Sequence, residues 1–421
     1  MAMKNIIFRT EVHEQLEQIG QADIVIGIPS FNSAHTIGHV VRAVQGGLAK
    51  YFPEHKAVIV NSDGGSSDGT MEVVHASTID DFSTILLHHR VAPVSKIAFA
   101  YSGIPGKGSA FRTVFEIAGV LDARACAVVD SDLRSITPEW LELLLKPVLA
   151  GGYDYVSPLY HRHKFDGTIT NSIVYPLTRA LYGKRVRQPI GGDFGFSGQL
   201  AQFYLAQDVW DSDVARFGID IWMTTTAIAN GFKLTQSFLG AKIHDAKDPG
   251  ADLSSMLYQV LSATFALMEK YAAVWGPVRG SAAVPAFGFE YTVGLEQVNV
   301  NTARMLKMFR EGLANLAEIW GEILGAGDFS EVERLALQTD ETFHFPIALW
   351  TRVVYDYALA FHHKLLPVEH LIKSMTPLYI GKTASFIITV KDMGQQEAEA
   401  EIEKLCMEFE NAKEYLASNW K

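Results

Sequence analysis

"ACAVVDSDLRSITPEW", residues Ala125 to Trp140, drives an uncharged run straight into two carboxylates one residue apart, Asp130 and Asp132. The run is short, apolar and unalternating, which is the pattern of a strand covered on both faces. Residues i and i+2 of an extended chain project to the same side. In a parallel α/β sheet, ligands bind beyond the carboxyl ends of the strands. Two acids on one side of such an end suit a hard divalent cation, Mg²⁺ or Mn²⁺, that also takes a further ligand and a phosphate. The alternative is a solvated turn in which an aspartate caps the next helix.

Working outward, the first half alternates strand and helix signals. "DIVIGIPS" (Asp23 to Ser30), "KAVIVNSD" with its apolar Val58 to Val60, "STILLHHRV" (Ser83 to Val91) and "ACAVVD" read as four strands. "SAHTIGHVVRAVQGGLAKY", with Ile37, Val40, Val41 and Val44 at helical spacing, "MEVVHAS" and "GKGSAFRTVFEIAGVLDA" read as the helices between them. Continuous apolar strands separated by helices predict an α/β fold, a mainly parallel sheet flanked by helices. From Gly151 to Asp248 the pattern mixes strands ("YDYVSPLY", "KLTQSFLGAKIHD") with helices ("TNSIVYPLTRALYG", and "FGIDIWMTTTAIANG" stopped at Gly231). Beyond Leu253, four amphipathic segments beginning at Leu253, Asn301, Phe345 and Gly394 predict an all-helical C-terminal region, with "GPVRGSAAVPAFG" as a loop. The boundary falls near residue 250, giving a sheet domain over 1–250 and a helical domain over 251–421 packing on it.

A chain of 421 residues, 48% hydrophobic, has material for a large core. Its formal charge of −11 and the lack of a Lys/Arg run exclude a nucleic-acid partner and point to small molecules. Two cysteines, Cys126 and Cys406, make neither a disulfide framework nor a thiolate metal site, and read as buried thiols. The N-terminal "MAMKNIIFRTEVHEQLEQIG" lacks the apolar core of a signal peptide, and no stretch is long enough to span a bilayer. The expected location is cytoplasmic, with no membrane partner; the acidic chain and apolar tail are compatible with a homodimer.

Other motifs carry chemistry beside the acid pair. In "NSDGGSSDGT", Asp63 can accept hydrogen bonds from a nucleobase or ribose while the glycines admit the ligand; the same residues also make a simple turn. "PGKGSAF" puts Lys107 between Gly106 and Gly108 at a helix start, where backbone amides and one ammonium suit a diphosphate. Gly108 after Lys107 excludes a Walker A loop, and Phe111 in the third glycine position excludes a dinucleotide fingerprint. Arg134, fifth from Asp130, argues against a phosphatase with an aspartyl nucleophile.

The order of "IPSFNSAHTIGHVV", "VNSDGGSSDGT", "GKGSAFRTVFEIAG", "VVDSDLRSITPEW", "QPIGGDFGFS", "FGIDIWMTTTAIANG" and "AKIHD" resembles nucleotide-sugar glycosyltransferases of the GT-A fold. More narrowly, it resembles the retaining enzymes that make glucosyl-3-phosphoglycerate, mannosylglycerate and glucosylglycerate, over roughly residues 20 to 250. The resemblance implies a donor, GDP- or UDP-hexose, held by Pro29, Asp63, Gly106, Lys107, Asp130, Ser131 and Gly192. It implies an acceptor, a small hydroxy acid, met by Thr170, Gly191, Gly192 and Asp193. Asp132, His244 and Asp130 would hold Mg²⁺ or Mn²⁺, and Asp220 and Lys107 would serve catalysis.

Each residue also has a plain structural role open to it. Asp220 can cap a helix, His244 can end a strand, the two glycines can make a turn, and Thr170 can start a helix. "HRHKF" (His161 to Phe165) reads as a solvated loop with room for acceptor contacts. In the tail, His344, Arg352, Tyr355 and Tyr357 form an aromatic stripe that reads as core, unless one closes over the site. The chain departs from the family where phosphoglycerate-using enzymes carry an arginine: Thr168 stands there, which favours an unphosphorylated acceptor. Asp193 replaces a glutamate that the family allows. The expected activity is hexose transfer; the rivals are a sugar-phosphate nucleotidyltransferase and a non-catalytic nucleotide-sugar-binding protein.

Overall fold

β-Branched and small apolar residues in short runs bury well on a pleated surface, and the first half of this chain folds accordingly. A computed structural model describes residues 10–77, 94–100, 106–212, 214, 218–244, 254–290, 294–295 and 298–421. Ten strands occur among them: β1 (Ile24–Ser30), β2 (Ala57–Asp63), β3 (Val94–Ala100), β4 (Ala125–Val128), β5 (Tyr155–His161), β6 (Lys184–Arg185), β7 (Phe194–Ser197), β8 (Leu234–Ala241), β9 (Ala282–Ala283) and β10 (Ala286–Phe287). Eight form one sheet in the order β10-β8-β5-β7-β4-β1-β2-β3. All neighbours pair parallel except β7, which runs antiparallel to both β4 and β5. The expected mainly parallel sheet is therefore present, with one reversed strand. The strand expected over Ser83–Val91 lies outside the described residues; the third strand described is β3.

The chain forms two compact units. One comprises residues 1–161, 191–245 and 284–294, the other 162–190, 246–283 and 295–421. The chain thus passes between units repeatedly, where the hydrophobic pattern suggested one boundary near residue 250. In the sheet unit, one face packs Ile24, Ile26, Ile28, Ile59 and Ala127 against Val40, Val44, Trp140 and Leu144 of helices Ile37–Tyr51 and Glu139–Leu149. Helix Lys107–Val120, with Phe111, Val114 and Phe115 buried, packs against β1 and β2.

The helical unit holds the four expected amphipathic helices, at Ser254–Lys270, Thr302–Ile323, Ile347–His362 and Gln395–Asn411. It also holds Val368–Val390, of 23 residues, which has no signature in the hydrophobic pattern. That helix is buried over most of its length and contains Pro377, so no apolar stripe marks it. Tyr355 and Tyr357 are core, and Arg352 pairs with Asp328. "HRHKF" is no solvated loop: the Lys164 ammonium donates to the carbonyls of Val390, Lys391 and Met393 at the C-terminus of that long helix. Both cysteines are free and buried. Among the described residues, no helix is long and apolar enough to cross a membrane.

Candidate active site

The sheet's topology gathers charge at one edge. β4 ends at Val128, and Asp130 follows just beyond it. Because β7 is reversed, with Phe194 opposite Val128, the residue preceding it, Asp193, stands at the same edge. β8 ends at Ala241 and Lys242 follows. Lys107 opens the 14-residue helix that leads to β4, and Asp220 lies in the first turn of helix Ile219–Ala229, which leads to β8.

These five side chains form one network. The Lys242 ammonium donates to Asp130 Oδ2 at 2.6 Å, Asp193 Oδ2 at 2.7 Å and the Gly191 carbonyl at 2.8 Å. Lys107 Nζ lies 2.8 Å from Asp130 Oδ1 and 3.2 Å from Asp220 Oδ2. Asp193, 0% exposed, also accepts from the Asp130 amide at 2.8 Å and from the Tyr160 hydroxyl. Gly192 has φ +87°, and a Cβ there would lie 2.3 Å from Asp130 Oδ2 and 3.0 Å from Lys242 Nζ. Only glycine fits that conformation and that space.

Burial works against every charge here, and the neighbours decide which carboxyl keeps its charge. Burial raises Asp130, but the Lys107 and Lys242 ammoniums on its two oxygens outweigh it and hold the carboxyl well below the usual range. Burial prevails at Asp193 and Asp220, whose carboxyls are raised despite Lys242 and Lys107 respectively. Asp220 keeps one buried oxygen, Oδ1, with no hydrogen-bond partner among the described residues.

Several residues marked by the sequence have internal partners. Asp63 accepts from the Ser30 hydroxyl, the Gly65 and Ser66 amides and the Ser66 hydroxyl, so its carboxylate organises the turn after β2; a nucleoside contact would replace one of these bonds. The Ser131 hydroxyl lies 2.9 Å from that of Ser33. Asp193 is buried in the support of Asp130, the Gly191 carbonyl accepts from Lys242, and Gly192 leaves room beside that ammonium. Pro29 is half-buried in β1, and Gly106 precedes the Lys107 helix as its cap residue. Thr170 is buried at the start of the π-helical turn Thr170–Val174 of the helical unit. Lys242 was missed by motif reading, although it lies in "AKIHD", two residues before His244. Its signal was a lone lysine directly after an apolar strand.

Comparison with known proteins gives matches among solved structures only. No family model matches the chain, and no curated protein does. The chain is similar to glucosyl-3-phosphoglycerate synthase from Mycobacterium tuberculosis. In the structure of that enzyme with Mg²⁺ and uridine diphosphate, identity is 19% over 62% of this chain and 83% of that one, with a TM-score of 0.43. With Mn²⁺, UDP-glucose and phosphoglyceric acid, identity is 20% at the same coverage and TM-score. A further mycobacterial protein is 22% identical over 60% of this chain and 77% of that one, with a TM-score of 0.43.

The donor set for a divalent cation is narrower than the sequence suggested. Among the described residues, no three His, Cys, Asp or Glu side chains gather as a metal cage. Asp130 has each oxygen on a lysine ammonium, so a cation there would share its carboxylate with Lys107 and Lys242. Asp132 is half-buried after β4. The chain just past it runs beside the segment that ends in His244. The Arg134 amide donates to the Ile243 carbonyl at 2.9 Å, the Ile243 amide donates to Ser135 Oγ at 2.9 Å, and the Arg134 guanidinium reaches the His244 carbonyl at 3.4 Å. Asp132 and His244 thus stand next to neighbouring segments, and a carboxylate and an imidazole are donor types that Mg²⁺ or Mn²⁺ accepts beside phosphate oxygens and water.

Proposed function

We propose that the protein transfers a hexose from a nucleoside-diphosphate sugar to the hydroxyl of a small carboxylate such as glycerate, with a divalent cation and with retention at the anomeric carbon. The observation that carries this reading is Lys107. Its ammonium stands at a helix N-terminus on the ligand edge of the sheet and is shared between Asp130 and Asp220. A positive group for a departing diphosphate and a carboxylate for a developing sugar cation thus occupy one place.

The bound cation, on Asp132 and His244, would supply charge neutralisation to the diphosphate. Lys107 contacts the same diphosphate. Asp220, with one oxygen unpartnered, stabilises positive charge as the bond between anomeric carbon and phosphate oxygen breaks. Asp130 is too weak a base to take the acceptor proton, because two ammoniums hold it ionised. The proton passes from the acceptor hydroxyl to the departing phosphate oxygen on the same face, and no enzyme nucleophile is needed. Lys242 is a positioning residue that fixes Asp130 and Asp193. An unphosphorylated acceptor is supported by the sequence, which has Thr168 where the resemblance expects a phosphate-binding arginine.

The test is a matrix of nucleoside-diphosphate hexoses against small hydroxy acids with Mg²⁺ or Mn²⁺, read by mass spectrometry. Hexosyl-glycerate should form and should vanish on chelation. Asp132→Ala and His244→Ala should each raise the cation concentration needed for half-maximal turnover by tenfold or more. Pyrophosphate release from a sugar phosphate and a nucleoside triphosphate would favour a nucleotidyltransferase instead. Donor binding without turnover would favour a binding protein.

A further inference from the structure

Lys382 stands inside helix Val368–Val390 of the helical unit and is 6% exposed. An ammonium carries three N–H donors. Among the described residues its one hydrogen bond is to the Phe345 carbonyl, at 3.0 Å. It lines a small recess whose apolar wall includes Ile347, Phe386, Ile402 and Leu405.

The other polar groups around the recess offer acceptors more than donors. The hydroxyls of Ser172, Thr383 and Thr389 donate to backbone carbonyls, leaving only their lone pairs for a ligand. His344 and Glu401 are the other titratable side chains at the wall. Glu401 accepts from Lys404, and no ion pair joins it to Lys382 among the described residues. Burial and the nearby Lys382 both hold His344 towards its neutral form. The recess therefore presents one buried positive charge, spare N–H donors and an apolar wall.

We infer that this recess binds a small monocarboxylate with a short apolar body, its carboxylate on the Lys382 ammonium. A doubly charged phosphate is disfavoured, because one ammonium faces it and the Glu401 carboxylate repels it. Thr168, where the resemblance expects an acceptor-binding arginine, also lines this recess, but the binding proposed here needs neither donor nor cation and is tested without them.

Calorimetric titration of the full chain with butyrate, n-butanol and inorganic phosphate tests the assignment. Butyrate should bind saturably with one site per chain, and butanol and phosphate at least tenfold more weakly. Lys382→Met should weaken butyrate at least tenfold while unfolding cooperatively. Titrated at pH 6, where the Lys382 ammonium stays charged even without Glu401 beside it, Glu401→Gln removes the like charge and should tighten butyrate several-fold; it serves if the first variant does not fold. No saturable butyrate binding, phosphate binding as tight as butyrate, butyrate affinity unchanged in folded Lys382→Met, or affinity unchanged in Glu401→Gln would each overturn the assignment.

Discussion

Asp220 is costly to the fold, and that cost is a guide to its use. Burial raises its carboxyl, with Lys107 opposing, and one oxygen has no partner among the described residues. A carboxyl raised on folding contributes most to stability at low pH and loses that contribution as pH climbs through its folded value. At neutral pH the charged form is therefore a burden. Relative to the parent protein, Asp220→Asn should gain stability in urea denaturation as pH rises from acid to neutral, and it should lower kcat by about 100-fold. A variant with full turnover would remove Asp220 from the reaction.

Lys382 shows the same conflict with the sign of a base. Burial pushes its ammonium down to about 8 from an ordinary 10.5, with Glu401 opposing. Below pH 8 both folded and unfolded chains are protonated, and the fold bears the full cost. Between those two values the unfolded chain keeps a proton that the folded chain has lost, so stability rises with pH. Lys382→Met should stabilise the protein by up to about 3 kcal/mol at pH 7, and the gain should shrink by pH 9.5 in parallel denaturation curves. A gain that is constant with pH would mean that the lysine is already neutral or already paired. Neither conflict was legible in the sequence, because desolvation depends on neighbours far along the chain. Asp220 could be marked from its place before an apolar helix, whereas Lys382 had no motif around it.

At the scale of elements, Lys242 ties together three strand ends: the residues after β8, before β7 and after β4. The parallel strands were readable because unalternating apolar runs mean burial on both faces. The reversed strand β7 was not, since "FGFS" is four residues with two glycine-adjacent aromatics and no length to show a period. Yet that reversal is what brings Asp193 to the edge where Lys242 meets Asp130. Lys242→Met leaves Asp130 with Lys107 alone and Asp193 without an ammonium. It should cost about 3–5 kcal/mol in chemical denaturation, the range for breaking a buried pair on one side. Arginine should not restore the fold, because the space beside Lys242 Nζ admits Gly192 and no Cβ at 3.0 Å. A near-neutral Lys242→Met would mean that the two carboxyls are held by protons instead.

At the scale of the molecule, composition spoke correctly for a large core but the apparent boundary near residue 250 did not describe how the chain divides. Hydrophobic period reports the type of an element, not which unit it joins. Residues 284–294 return to the sheet unit, where β10 pairs with β8 and the Pro285 carbonyl accepts from the Gln236 amide and the Thr235 hydroxyl. Residues 162–190 belong to the helical unit, where Arg179, 0% exposed, meets Glu403 at 2.6 Å and Glu410 at 2.6 Å. A fragment of residues 1–250 would therefore fail in two ways at once. It would expose the β8 edge, a template for pairing between chains. It would also retain residues 162–190 without the rest of the helical unit, exposing apolar side chains such as Leu177 and Leu181 that are buried there. Expressed alone, that fragment should aggregate or lack near-UV circular dichroism, while the intact chain unfolds cooperatively. A soluble 1–250 fragment with a sharp urea transition would show instead that the sheet unit closes without its returning segment.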